Sequence, residues 1–463
     1  MADVLDFTGG LTESSWEHMA LDTLGELGWQ HLPGSDIAPG TGERMSWDDL
    51  LVPARLRTAI ATLNPGLPPA RSTRRSRSSA PPPPRMPSPR TGRSTTISPR
   101  GGCGPCRTST TPVSRSPPLS VCSRPTPDEN DWFAASQVTV IRGGDYERRF
   151  DLVLYLNGMP VAVVELKNAG SEYAGLTDAH AQLRTYLREF PLAFRYAVIG
   201  LVSDGISAAY GTPFTPFEHY SPWNVDDDGK PVEFTGDNHP LDVALFGLFN
   251  QERFLQLLRN YTAFDESENG LVKRIAKPHQ YFAVAKAVGS TVVAVESEGK
   301  AGVVWHTQGS GKSMEMELYA NQVIRHPKLA NPTIVVITDR NELDGQLYEG
   351  FSRSRLLPEH PRQIRRREEL RSELSGRTTG GIYFTTLQKF GKSREERETG
   401  RSHPPALRSP QHHRHRRRGP SQPLRRPRRL RPPPARRTAT RNPHRLHRNA
   451  DLVRGPQHSG RVR

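Results

Sequence analysis

The stretch from Phe150 to Asn168 places three ionisable side chains, Asp151, Glu165 and Lys167, where an apolar core belongs. Two runs rich in Val, Leu and Tyr flank Asn157-Gly158, the dipeptide that most favours a tight turn between antiparallel strands, so both runs are predicted strands. Glu165 and Lys167 stand two apart and project from one face of the second strand. Asp151 depends on the connection. A strict two-residue loop sets it opposite Val164 and off the Glu165 face, whereas a three-residue loop or a β-bulge brings it onto that face.

If the face is shared, two carboxylates and an ammonium converge inside an apolar hairpin. Carboxylates that close repel each other, and a hard divalent cation such as Mg²⁺ is the usual remedy. A metal held there activates water, with Lys167 placed to hold the water or a scissile phosphate. The alternative is an edge strand guarded by charges. Spacing alone leaves both open.

The net charge of +16 invites a nucleic-acid reading, but its distribution undercuts it. From Gly66 to Pro127 there are 11 Arg with neither Lys nor acid, and from Arg401 to Arg463 there are 19 Arg with Asp451 as the sole acid. These two segments carry +29 and leave −13 for the rest, so the basic balance does not belong to the folded parts. Neither segment contains Phe, Trp or Tyr, and neither shows a hydrophobic period, so both are expected to be disordered. Their Arg/Pro/Ser language is also what a GC-rich coding frame gives when read out of phase, a hypothesis that resequencing would test. A basic DNA-binding tail is the other reading of the second segment. Cys103, Cys106 and Cys122 all fall in the first, and the Cys103/Cys106 spacing has no second ligand pair to make a metal site. The N-terminus has no signal-like region and no apolar run approaches membrane-spanning length, so a soluble cytoplasmic protein with no membrane partner is expected.

Elsewhere the patterning is regular. Trp16 to Leu24 has helical spacing, with Glu17 on that helix, and ends near Gly28. Gln137–Ile141 is a predicted strand. A helix over Glu172–Phe190 puts Gln182 and Tyr186 one turn apart on one face. Phe194–Val202 and Ile206–Tyr210 read as strands, Asp226 to Asp228 as an acidic turn, solvated rather than the alternative metal cluster, and Phe246–Tyr261 as one amphipathic helix. The alternation is that of a small α/β domain. Lys277–Val288 is a predicted helix with Gln280 near its start, and Ala301–Trp305 a predicted strand.

That strand leads into His306-Thr-Gln-Gly-Ser-Gly-Lys-Ser313, which opens another helix. Backbone amides at Gly309, Ser310 and Gly311 with a helix N-terminus can cradle phosphates, with Lys312 reaching the outer phosphates of a nucleotide and Ser313 offering a hydroxyl to Mg²⁺; a bare glycine-rich turn is the alternative. His306 stands where the strict pattern has Gly. Downstream, Thr338-Asp339-Arg340 and Thr385-Thr386 lie at the C-terminal ends of two predicted strands, where open α/β sheets place ligand contacts.

Together these residues resemble the restriction subunit, nuclease and motor, of type I restriction-modification enzymes, over roughly residues 1–65 and 128–397. The resemblance implies an α/β chain with an N-terminal PD-(D/E)xK nuclease fold, begun by 1–65 and completed by 128–262, followed over 263–397 by a partial RecA-like superfamily-two helicase lobe. The anomalous segments are 66–127 and 398–463. It implies metal carboxylates at Asp151 and Glu165, a catalytic lysine at Lys167, and an acidic residue of the first nuclease helix at Glu17. The Gln-x-x-x-Tyr motif falls on Gln182 and Tyr186, with a role in DNA contact or in ordering the site. Gln280 looks like the glutamine that reads adenine, and the Thr338-Asp339-Arg340 and Thr385-Thr386 stretches resemble motor motifs Ia and Ib. The implied cofactors are Mg²⁺ and ATP, and the implied partners are double-stranded DNA and the methylation and specificity subunits. After Gln388 the family's Asp-Glu-Ala-His box and second motor lobe do not follow, so the expectation is ATP binding without translocation. A rival of another class is a non-enzymatic remnant of gene decay.

Overall fold

The computed structural model describes residues 12–65, 122–144, 146–167, 175–234, 238–267, 270–339, 341–375, 380–391 and 398, all within one unit spanning residues 1–407. Cys103, Cys106, Arg340 and nearly all of the two Arg-rich segments lie outside the described residues. Residues 122–127 do not: Cys122 is buried, and Arg259 donates to the Ser123 carbonyl at 2.7 Å. The described fold therefore includes Cys122 to Pro127, ahead of the Asp128 boundary expected from composition.

The first half is built on a six-stranded sheet in the order β1-β2-β3-β4-β5-β6: β1 Gln30–Pro33, β2 Trp132–Arg142, β3 Tyr146–Leu156, β4 Met159–Leu166, β5 Ile199–Ser203 and β6 Ala208–Gly211. Its centre is antiparallel, with β1 joining β2 and β5 joining β4 in parallel. Helix α1, Glu13–Glu26, begins where the Thr12 hydroxyl accepts from the Ser15 amide at 3.2 Å. Its Trp16, Ala20 and Leu24, spaced i, i+4, pack with Leu152, Leu154 and Val164 on one side of the sheet. Helix α2, Pro53–Leu63, adds Leu56 and Ile60 to that layer. Helix α3, Leu176–Glu189, covers the other side with Ala179, Leu183, Tyr186 and Leu187 against Val153, Tyr155 and Val163. With both faces covered, β3 and β4 read as unbroken apolar runs rather than alternating ones.

Three expectations are corrected. The helix expected over Phe246–Tyr261 is two, α4 Pro240–Phe249 and α5 Gln251–Asn260, because Asn250 leaves helical geometry (ψ 123°) and caps the second by accepting from Arg253 N–H. The strand expected from Phe194 begins only at Ile199; the preceding residues form turns that bury Phe194 and Ala197. Ala301–Trp305 forms no strand: it makes no ladder, and Val303 and Trp305 are 89 % and 90 % exposed. A β-former sequence needs a partner edge, and none of the described strands offers one there.

The second half holds the hairpin β7 Thr262–Ser267 and β8 Gly270–Ile275, then α6 Pro278–Glu296, α7 Lys312–Arg325, β9 Thr333–Thr338, α8 Asn341–Arg353, β10 Arg362–Gln363, α9 Arg367–Ser375 and β11 Gly381–Thr386. The last three strands make a parallel sheet in the order β10-β11-β9. Ile382 and Phe384 pack against Phe351 on one face while Tyr383 packs with Leu370 and Leu374 on the other, so β11 is covered on both sides, as parallel sheets require. Hairpin β7–β8 spans the two halves: Lys273 donates to the Ala197 carbonyl at 2.6 Å, and the next residue, Arg274, bridges Asp265 and Glu317 of α7. No helix among the described residues is long and apolar enough to cross a membrane.

Candidate functional site

The turn between β3 and β4 has two residues, Asn157 and Gly158, both left-handed at φ 53° and 76°. Left alone it would misplace Asp151. The ladder then shifts: Tyr155 pairs with Pro160, but Leu154 pairs with Ala162, so Val161 is the extra residue of a β-bulge. From there Leu152 faces Val164, and the next position sets Asp151 opposite Glu165. The bulge supplies the shift that the sequence alone left open.

Asp151 lies at a second irregularity. Val153 and Tyr155 belong to the layer under α3, and so does Phe150, so the in-out alternation of β3 breaks at Asp151. On the neighbouring strand Phe133 and Ala135, then Val138 and Val140, belong to that layer, with Gln137 between them at φ 53°. Gln137, opposite Asp151 between the Ser136–Leu152 and Val138–Phe150 pairs, donates through Nε2 to the Glu17 carboxylate of α1. Gln137, Asp151 and Glu165 thus form a row across three strands. A non-glycine residue in left-handed geometry within a strand marks local strain held by its surroundings.

Burial sets the electrostatics. Glu165 is 0 % exposed and Asp151 is 6 % exposed. Asp151 accepts from the Leu166 amide at 2.8 Å, and Glu165 Oε1 accepts from Lys167 Nζ at 3.0 Å, whereas Glu165 Oε2 is buried with no hydrogen-bond partner. Burial first, then the neighbouring Asp151 charge, pushes Glu165 up to about 8. Burial likewise raises Asp151 to about 6, partly offset by the Leu166 amide. Burial also raises the Glu17 carboxyl. Lys167 is pulled down by burial but more strongly held up by Glu165, for a net rise. Glu13, one turn before Glu17, adds its field to all four groups. On α3, Gln182 donates to the Tyr186 hydroxyl, which donates to the Arg149 carbonyl at 3.3 Å, two residues before Asp151. The pair braces the start of the acidic stretch of β3 from behind. A cleft lined by Glu43, Arg55, Asp131 and Asn157 borders the turn and includes none of these groups.

The second site is the loop before α7. Gly309 and Gly311 both adopt φ 85°, a conformation that favours glycine, and Gly311 caps the helix. Lys312 Nζ donates back to the carbonyls of His306 and Thr307 at 3.1 and 2.6 Å, and Ser313 is exposed. Gln280 Oε1 accepts from Lys277 N–H at 2.9 Å while its Nε2 donates to the Ser310 carbonyl at 3.1 Å, so the glutamine rests on the loop. Ser310 Oγ is buried without a hydrogen-bond partner. Farther along, Thr338 and Thr386 pair in register, which sets the polar ends of β9 and β11 side by side. Asp339 accepts through its carbonyl from Gln388 at 3.0 Å, and Thr385 is fully buried.

Sequence reasoning missed Gln137 and Glu13. Gln137 carries no signal in a strand-forming run, but Glu13 sits at i−4 from Glu17, a spacing that puts both on one helix face.

The chain matches two family profiles: the N terminus of type I restriction enzyme R proteins over residues 116–219, and the SWI2/SNF2 ATPase over residues 279–417. The type I restriction enzyme HindI endonuclease subunit of Haemophilus influenzae is 40 % identical over 272 residues, 58 % of this chain and 26 % of the relative. The putative type I restriction enzyme MjaIXP endonuclease subunit of Methanocaldococcus jannaschii is 35 % identical over 292 residues, 58 % of this chain and 27 % of the relative. The chain thus spans about a quarter of the length of these relatives. The two profiles fall on the two halves that carry the acidic hairpin and the glycine loop, and over the part it spans the chain is similar to the endonuclease subunits of type I restriction enzymes.

Proposed function

We propose that the hairpin is the active site of a Mg²⁺-dependent DNA endonuclease of the PD-(D/E)xK kind and that the loop before α7 binds ATP. The observation that carries the first part is the facing pair Asp151 and Glu165, set opposite each other by the bulge at Val161, with one Glu165 oxygen buried and unpartnered. Two buried carboxylates held at raised pKa fit a hard cation, which would satisfy the orphaned oxygen and relieve the repulsion. The ion would supply an activated water and charge neutralisation at a phosphodiester. Asp151 and Glu165 would hold it. Lys167, tethered to Glu165, positions its ammonium for the scissile phosphate or the attacking water. Glu17 acts through Gln137 on the Asp151 end of the row, and Gln182 with Tyr186 fixes the strand that carries Asp151.

In the second half, the amides of Gly309, Ser310 and Gly311 cradle phosphates, Lys312 turns from the loop carbonyls to the outer phosphates, and Ser313 offers its hydroxyl to the nucleotide's Mg²⁺. Gln280 contacts the base, and Thr338, Asp339 and Thr386, at the polar ends of β9 and β11, couple nucleotide binding to DNA, with Thr385 packed behind them. Double-stranded DNA is the substrate, methylation and specificity subunits are the partners, and the cytoplasm is the place of action. The test is plasmid DNA incubated with the chain and Mg²⁺. Cleavage that is lost in both Lys167→Ala and Asp151→Ala supports the reading; equal behaviour of wild type and variants refutes it and favours a chain without catalysis.

A further inference from the structure

His306, which stands where the phosphate-loop pattern has glycine, is not alone. Its Nδ1 lies 2.7 Å from Glu315 Oε1, and His279 Nε2 lies 4.0 Å from the same oxygen. One ligand atom from each of the three lies within 4.8 Å of the others, and the two imidazole rings meet edge to face at 5.3 Å. They come from three places: the end of the loop's approach, the first turn of α7, and the first turn of α6. Glu315 is buried, His306 half-buried and His279 exposed, so the cluster has a fixed base and an open mouth.

We propose that His279, His306 and Glu315 form a site for a borderline transition-metal cation of the Zn²⁺ class. Two imidazole nitrogens and one carboxylate oxygen are the donor set such ions prefer, whereas Mg²⁺ favours oxygen alone. Tetrahedral ligands around Zn²⁺ stand roughly 3.3 Å apart, given metal–ligand bonds of about 2.0 Å. The observed separations bracket that value, so His306 and Glu315 open slightly and His279 closes. The ion takes the place of protons: the one now shared between His306 Nδ1 and Glu315, and the one through which His279 Nε2 bonds the Ser310 carbonyl at 2.9 Å. The fourth position faces solvent and takes water.

The position has a consequence, which rests on the nucleotide reading of the loop. An ion here staples the start of the loop to the helix that follows it while the His306 carbonyl holds Lys312 Nζ. A stapled loop keeps Lys312 on its own carbonyls and opposes nucleotide binding.

The experiment titrates Zn²⁺ alone into the full chain by isothermal calorimetry, without nucleotide, and repeats it with His306→Ala and with His279→Ala, whose exposed ring is dispensable for folding. A His412→Ala/His413→Ala variant controls for the other histidines. The expected result is one site present in wild type and the control and weakened on the order of 100-fold in both His306→Ala and His279→Ala. The same Zn²⁺ binding in all four proteins overturns the site. A fluorescent ATP analogue then reports the staple: Zn²⁺ should weaken its binding to wild type and not to His306→Ala, and unchanged binding in wild type overturns the staple. A chain that binds Zn²⁺ but no nucleotide refutes the nucleotide reading and leaves the metal site standing.

Discussion

Replacing Glu165 by Gln should stabilise the metal-free protein at pH 8. Glu165 is fully buried, and its pKa stands at about 8 against 4.5 for a free glutamate. Because the folded value is the higher one, the native state holds the extra proton, and stability drains away as pH rises from about 4.5 through about 8. At about 1.4 kcal/mol per tenfold in proton affinity, the ionised side chain costs the fold on the order of 4 kcal/mol by pH 8. The variant removes that cost but also removes the charge bonded to Lys167, whose side chain is only 15 % exposed. The attraction between those two charges is already contained in the raised pKa, so only the weaker hydrogen bond of an amide oxygen is subtracted and at least about 2 kcal/mol remains, several degrees in melting temperature. Thermal unfolding in EDTA should show Glu165→Gln above wild type at pH 8, with the gap closing toward pH 5. Mg²⁺ at pH 8 should raise wild type and not the variant. A wild type that is the more stable of the two in EDTA at pH 8 would refute the reasoning, because the buried carboxylate would then not be a cost that a cation relieves.

Other expectations follow from single contacts. Gly158→Ala should destabilise the hairpin by about 2 kcal/mol or more, since φ is 76° there and a Cβ would meet the Val52 carbonyl at 2.5 Å; chemical denaturation reads it. Arg274→Ala should cost about 3 kcal/mol by stranding Glu317, which is 3 % exposed, and Arg274→Lys should restore part of it in the same assay. Lys312→Ala should weaken an ATP analogue at least about tenfold, the loss of one charge-assisted contact, in equilibrium binding. Tyr186→Phe should leave the fold intact and slow Mg²⁺-dependent cleavage, because only the two bonds of its hydroxyl are lost, the one given to the Arg149 carbonyl and the one accepted from Gln182.

The legible parts of the sequence were those set by local chemistry. Asn157-Gly158 marked the hairpin because few other residues accept two successive left-handed positions, and Trp16, Ala20 and Leu24 marked α1 by their period. The bulge at Val161 was legible only as a requirement. It arises where Pro160 lacks an N–H and Tyr155 stacks on Phe133 at 4.4 Å, a packing choice no local pattern encodes. Gln137 was invisible because its left-handed backbone serves a partner 120 residues away, Glu17. Ala301–Trp305 misled for the opposite reason: a β-forming sequence is a strand only if an edge receives it.

On the proposed function the bulge brings Asp151 and Glu165 around one divalent ion. Crystals soaked in Mn²⁺ test it most directly, through the anomalous difference density at the hairpin. A peak should lie in contact with both carboxylates, with Glu165 Oε2 as one ligand, and be absent in Asp151→Asn. Density elsewhere, with that oxygen still unliganded, would contradict it.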